Sequence, residues 1–234
     1  AYMSNQKIID AVTIVISSAR ISTYENATGG KKPDSLEALN LYAWNADVSG
    51  ALLIPLHVCE VAIRNAVSTA IENVYGDRWP WSSGFERSLP NPTRGFSPKK
   101  DLINARLNQR TTGKVIPELK FAFWQSIFTS RHDQRFWNPY LTDLFPNMNT
   151  SVSIQDRRKL IYDELEQIRR LRNRIAHHEP IFTRNLSDDY QKILSLVSYR
   201  CTTTATWLDE HQRATEIIAK KTGLCSLYMK TVKK

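Results

Sequence analysis

Apolar residues recur at helical spacing along most of the chain, and few runs alternate with a period of two. The pattern predicts an all-α protein. Its clearest stretch is Ile161, Leu165, Ile168 and Ile175, at i, i+4, i+7 and i+14, one helical face turned to a core, with Ser153 or Ser151 as its cap. Position 172 falls on the same face at i+11 but holds arginine, which rarely sits mid-stripe without a partner or a ligand phosphate. Asn173 and His177, four apart, share one side of this helix. Pro180 stops it within a turn, so His177 and His178 stand at a helix end.

Leu52 to Tyr75 is apolar nearly all round, as a central buried helix would be, and is preceded by a helix whose apolar side is Leu36, Leu39, Trp44 and Val48, capped by Asp34 or Ser35. His57, Glu60 and Arg64 line one stripe of the central helix, with Asn65 adjoining. Two readings stand for this stripe. Glu60 and Arg64 form an intrahelical ion pair at a helix seam, or Glu60 holds Arg172 while Arg64 and Asn65 face a ligand. Gly76 to Lys100, rich in proline and carrying Trp79, Trp81, Phe85 and Phe96, reads as a long exposed loop. Its rings pin it to the body, or together with Arg78, Arg87, Arg94, Lys99 and Lys100 they track RNA.

Ser97-Pro98 opens a helix to about Arg110, Thr112-Gly113 breaks it, and Val115 to Phe128 follows with Leu119, Phe121, Phe123, Trp124, Ile127 and Phe128 as a core face. Phe136 to Thr150 reads as turns. A helix from Ser187 runs through Trp207, with Ile193, Leu194, Val197 and Trp207 as core contacts, and a weaker one from Asp209 to Lys221 precedes a basic tail. Lys7 to Ser18 is apolar and β-branched, so helix and strand both stay open there.

A net charge of +9, from 32 basic and 23 acidic residues, fits either simple solubility or a polyanionic partner, nucleic acid foremost. Cys59, Cys201 and Cys225 are widely spaced and form no CxxC pair, which suggests neither a disulfide framework nor a zinc site and fits a reducing cytoplasm. Apolar runs such as Ala51 to Val58 are short for a bilayer and are interrupted by Pro55 and His57, so no membrane partner is expected. No signal-peptide pattern opens the chain, and Met3 reads as its natural start. There is no Gly-rich phosphate loop and no GxSxG elbow. Adjacent His177 and His178 diverge by about 100° on a helix, a poor arrangement for sharing one metal ion. Neither a metal nor another cofactor is implied.

Arginine, an amide and a histidine suit phosphodiester cleavage without a metal. The RNA 2′-OH is the nucleophile, a histidine moves the proton, and a guanidinium neutralises the charge growing on the phosphorane. On spacing alone, Arg172 and His177 more often make a capping and packing set at a helix end.

Arg172-Asn173-Arg174-Ile175-Ala176-His177 resembles the HEPN motif, and its setting, through His178, Pro180 and Ile181, resembles the Abi-like abortive-infection branch of that superfamily. Two more blocks resemble the same branch in the same order: Leu41-Tyr42-x-Trp44-Asn45 leading into Glu60-x-x-x-Arg64-Asn65, and Gly113 to Leu119 with Phe121, Phe123 and Trp124. The resemblance implies a HEPN-type helical bundle over 1–234, with N-terminal helices to about 34, a core from about 35 to 210 and a C-terminal helix and tail from 211. It also implies a homodimer with a composite active site. The activity expected is that of a metal-independent endoribonuclease toxin in phage defence, restrained by an RNA or protein antitoxin. Carried over by position, Arg172 and His177 are the catalytic pair and Asn173 the polar helper. His178, Glu60, Arg64 and Asn65 are supporting candidates, and Arg174, Arg94, Lys99 and Lys100 are RNA contacts. The alternative functions are a non-catalytic RNA-binding or scaffold module, or a phosphate site for a nucleotide. On an unbroken helix Arg172 and His177 lie about 140° apart, so the helix ends early or the pair works across the dimer.

Overall fold

A computed structural model of the chain describes residues 5–29 and 36–221, and among these there are helices and turns but no strand. The all-α expectation holds. The expected caps Asp34 and Ser35, the start at Met3, Cys225 and the basic tail lie outside the described residues.

The β-branched N-terminal run is helical: α1 spans Asn5–Ile16 and α2 Ser18–Ala27. The two helices expected next are one, α3, Leu36–Tyr75, running through Pro55. The proline's ring is buried, and the surrounding packing holds the helix across the missing backbone donor. This corrects the reading of Pro55 as an interruption. By length and composition α3 could cross a membrane, with a mean hydropathy of 1.5 over its best 18-residue window. Here it is the axis of the fold, with α2, α10, α9 and α7 packed around it.

Gly76 to Lys100 is not the exposed loop that its prolines suggest. Trp79–Trp81 makes a 3-10 turn and Ser83–Ser88 a short helix, α4, capped by the Ser82 hydroxyl. Trp79 and Phe85 are fully buried and meet edge to face at 5.4 Å. They join Phe123, Trp124 and Phe136 in an aromatic centre, so the rings pin this segment to the body. Ser97 caps α5, Pro98–Arg106, which ends earlier than expected. After a turn at Thr112–Val115 (α6) and a 3-10 turn over Ile116–Glu118 comes α7, Phe121–Ser126, so the Val115–Phe128 helix is broken at Pro117 and at extended Lys120. Its predicted core residues are all buried.

A π-helical turn over Asp133–Trp137 runs into α8, Asn138–Leu144, where only turns were expected. The long α9, Ile154–Ala176, is capped by Ser153 as predicted. The helix beyond it divides at extended Cys201 into α10, Leu186–Arg200, and α11, Thr202–His211, leaving Trp207 half exposed rather than in the core. A last helical run over 214–221 returns to α3, where Trp44 Nε1 donates to Ile217 O at 2.8 Å. One continuous apolar cluster links Tyr24, α3, the aromatic centre, α9, α10 and Ile217.

Candidate functional site

The side of α9 that faces the core carries Arg157, Ile161, Leu165, Ile168, Leu171 and Ile175. Leu171, not Arg172, continues the stripe, and Arg172 is exposed. Ideal helical angles place both on the inner half of the helix. What separates them is cover by the rest of the fold: Leu171 is fully buried and Arg172 is not.

The helix closes in a Schellman turn. His177 is the cap, with its N–H still bonded to Asn173 O at 3.0 Å, and His178 adopts the left-handed region at φ 55°. His178 N–H then donates to Ile175 O at 3.0 Å and Glu179 N–H to Arg174 O at 2.8 Å. Glycine usually takes the left-handed position; a side chain there costs about 1 kcal/mol. Arg174 is engaged in the same turn, its Nε donating to Pro180 O at 3.0 Å and lying 3.6 Å from the Glu179 carboxylate. It therefore braces the turn while its side chain stays partly exposed.

Two contacts from distant sequence fix this terminus in place. Arg20 Nη1, on α2, donates to His178 O at 2.6 Å, and buried Asn45, on α3, accepts from Ile181 N–H at 2.8 Å. Sequence reasoning gave Arg20 no role, and no local signal marks it. Asn45 appeared only within a family-like block; its buried amide holds the chain just after the histidines.

The side chains of Arg172, Asn173, His177 and His178 make no hydrogen bond or ion pair among the described residues, and both histidines are exposed. The nearby cations have partners. Arg169 and Arg170 both bind Glu166, at 2.9 and 2.8 Å. Burial works against the charge of Glu166, but hydrogen bonds from Gln125, Arg169 and Arg170 hold its pKa near about 2. Arg172 is left, among the described residues, as the guanidinium beside the terminus with neither a hydrogen-bond nor an ion-pair partner.

The α3 stripe does not join this site within one chain. Glu60 pairs with neither Arg64 nor Arg172 among the described residues, and the Arg64 Nε is buried without a partner. Nineteen residues separate Asn45 from Arg64, about 28 Å along a helix. The ion pair and the Glu60–Arg172 contact are thus both absent. Asn65 and His57 are exposed on α3. In the former loop, Lys99 lies 3.5 Å from Glu86, which Arg106 also binds, while Arg94 and Lys100 stay exposed.

Glu164, which sequence reasoning passed over, sits between α9 and α10. Burial pushes its carboxyl up to about 7 against the pull of Lys192, and its Oε2 has no hydrogen-bond partner. Burial, followed by Glu164 and Glu60, also pushes the Cys59 thiol far above the ordinary range, so Cys59 is a core residue and not a nucleophile. Among the described residues no group of three or more His, Cys, Asp or Glu side chains stands close enough to hold a metal ion. In comparisons with protein-family models, curated proteins and solved structures, nothing matches this chain.

Proposed function

We propose that the chain is an endoribonuclease of the Abi-like HEPN type, a cytoplasmic toxin that cleaves RNA without a metal and is held in check by an antitoxin. The observation that carries this reading is the unpartnered Arg172 guanidinium beside two exposed histidines on a terminus pinned by Arg20 and Asn45. In the reaction, the 2′-oxygen bonds to phosphorus while the P–O5′ bond breaks, giving a 2′,3′-cyclic phosphate and a 5′-hydroxyl. One imidazole takes the 2′-proton, an imidazolium gives a proton to the leaving 5′-oxygen, and Arg172 neutralises the phosphorane.

The site is composite. His177 still bonds to Asn173 O and keeps its helical placement, so Arg172 and His177 diverge by about 140° on one helix. That divergence favours closure of the pair across two copies over closure within one helix end. The exposed apolar face of α3, with Leu53 at 53% and Ile54 at 45% exposure, supports pairing of two chains there.

Complementation tests this. In EDTA, Arg172→Ala and His177→Ala are each inactive on RNA. Mixed and allowed to exchange subunits, they regain roughly a quarter of the parent rate, because half the dimers are mixed and each has one intact site. Failure of the mixture to regain activity, with exchange demonstrated, would rule out the composite site. Tight RNA binding without turnover by the parent would favour the non-catalytic module instead.

A further inference from the structure

At the far end of α3 from the histidines, a cleft of about 450 Å³ opens between the helix and the turns that follow α3 and α5. It is in the size range of small-ligand sites. Glu72, Asp77, Arg78, Trp81 and Arg110 line it. Arg78 lies over the Trp81 ring at 4.7 Å, and Thr112 Oγ1 donates to Asp77 O at 2.6 Å, tying the two rims together. Among the described residues neither carboxylate forms an ion pair with either arginine, and none of the four side chains makes a hydrogen bond. Two carboxylates and two guanidiniums around one small cleft, left unpaired, present acceptors and donors together beside a flat aromatic–cation platform.

A guanine base is complementary to that set. Its O6 and N7 accept from a guanidinium, and its N1–H and N2–H₂ donate side by side to a carboxylate. Adenine offers one acceptor and one donor along the corresponding edge, and a cluster of arginines alone would favour phosphate without regard to the base. The mixed charge is what selects guanine, and the Arg78–Trp81 pair gives the base a surface to stack on. We propose that this cleft binds a guanine nucleotide, Arg110 donating to O6 and N7 while Glu72 or Asp77 accepts from the Watson–Crick edge. The base comes from a free nucleotide or from one position of an RNA strand.

The test is calorimetric titration of the full chain with GMP, inosine monophosphate and AMP at low salt. GMP is expected to bind at least tenfold more tightly than AMP, with the inosine nucleotide, which lacks the 2-amino group, between them. Arg110→Ala, and one of Glu72→Gln or Asp77→Asn, weaken GMP at least tenfold; all three positions are exposed, and the melting temperature should not move. A 2′-O-methyl pentamer of uridines with one central guanine separates the two sources. Binding at least tenfold tighter than GMP, lost when adenine replaces the guanine, marks a strand site, and binding no tighter than GMP marks a nucleotide site. The pentamer lacks the nucleophile and no cleavage is read, so the result is independent of catalysis at the helix terminus. Equal affinity for GMP and AMP, no GMP binding at millimolar concentration, or GMP binding untouched by all three substitutions overturns the assignment.

Discussion

At its first turns α9 buries an arginine: Arg157 is 5% exposed, Nη2 donates to Thr142 Oγ1 at 3.2 Å, and Nε and Nη1 find no acceptor among the described residues. Arg158 beside it is tied to Asp133 at 2.9 Å and to Phe128 O at 3.1 Å. At its last turn the same helix leaves Arg172 and His177 in solvent without partners. The histidines repeat the contrast. His132, just ahead of the π-helical turn, is 1% exposed and stacks on Phe136 at 5.4 Å, with Nδ1 unbonded, whereas His177 and His178 are exposed. The residue types are the same and the placements opposite. Groups at the first end serve the fold and tolerate little change of state, while groups at the second end can bind charge and pass protons without disturbing the core.

The largest expected effect tests the buried side of this contrast. Burial, with Arg135 and Arg131 nearby, holds His132 down to about 3, against an ordinary 6.5. The unfolded chain then binds the extra proton between those values, so the stability due to neutral His132 is complete above 6.5 and is lost as pH falls from 6.5 towards 3. The full span corresponds to about 4–5 kcal/mol. Urea melts from pH 7 to pH 4 should show the parent losing more stability than His132→Phe, by an amount growing through that window. Parallel curves for the two proteins would show that His132 charges without cost, and the contrast between buried and exposed histidines would fail.

Next comes the exposed end. Arg172→Ala should lower RNA cleavage about 100-fold or more, about 3 kcal/mol of transition-state stabilisation, while stability stays within about 0.5 kcal/mol of the parent. A Tm lower by several degrees would make Arg172 a packing residue like Arg157 and remove the reason for placing chemistry there.

How much of this was legible in the sequence follows from the range of the forces involved. The stripe Ile161–Ile175, the Ser153 and Ser97 caps and the aromatic face from Leu119 to Phe128 were readable because periodicity and capping are local. Trp79 and Phe85 were misplaced because a three-residue turn and a six-residue helix are too short to show a period. Pro55 misled because a proline's effect on a helix depends on what packs around it. The exposure of Arg172 was hidden for a related reason, since its angle on the helix is local but its cover by other elements is not. The ties from Arg20 and Asn45 span 158 and 136 residues, and no spacing rule reports them.

The smallest expected effect decides between the two histidines. His178 stands at φ 55°. Glycine accepts that geometry without strain, and its greater freedom in the unfolded chain offsets part of the gain. His178→Gly should therefore stabilise the protein by about 0.5–1 kcal/mol, provided that the Arg20 bond to the carbonyl of residue 178 survives, as a backbone contact should. His177 occupies the cap at φ −95°, where glycine relieves no such strain, so His177→Gly brings no comparable gain. Thermal melts of the two variants, read beside their RNA cleavage, separate turn geometry from chemistry. If His178→Gly melts higher and cleaves at the parent rate, the left-handed histidine belongs to the turn and His177 is the proton carrier. A higher melting temperature with cleavage lost moves the chemistry to His178 and gives the strain a function: the left-handed backbone turns the imidazole out of the direction that a continuing helix would impose.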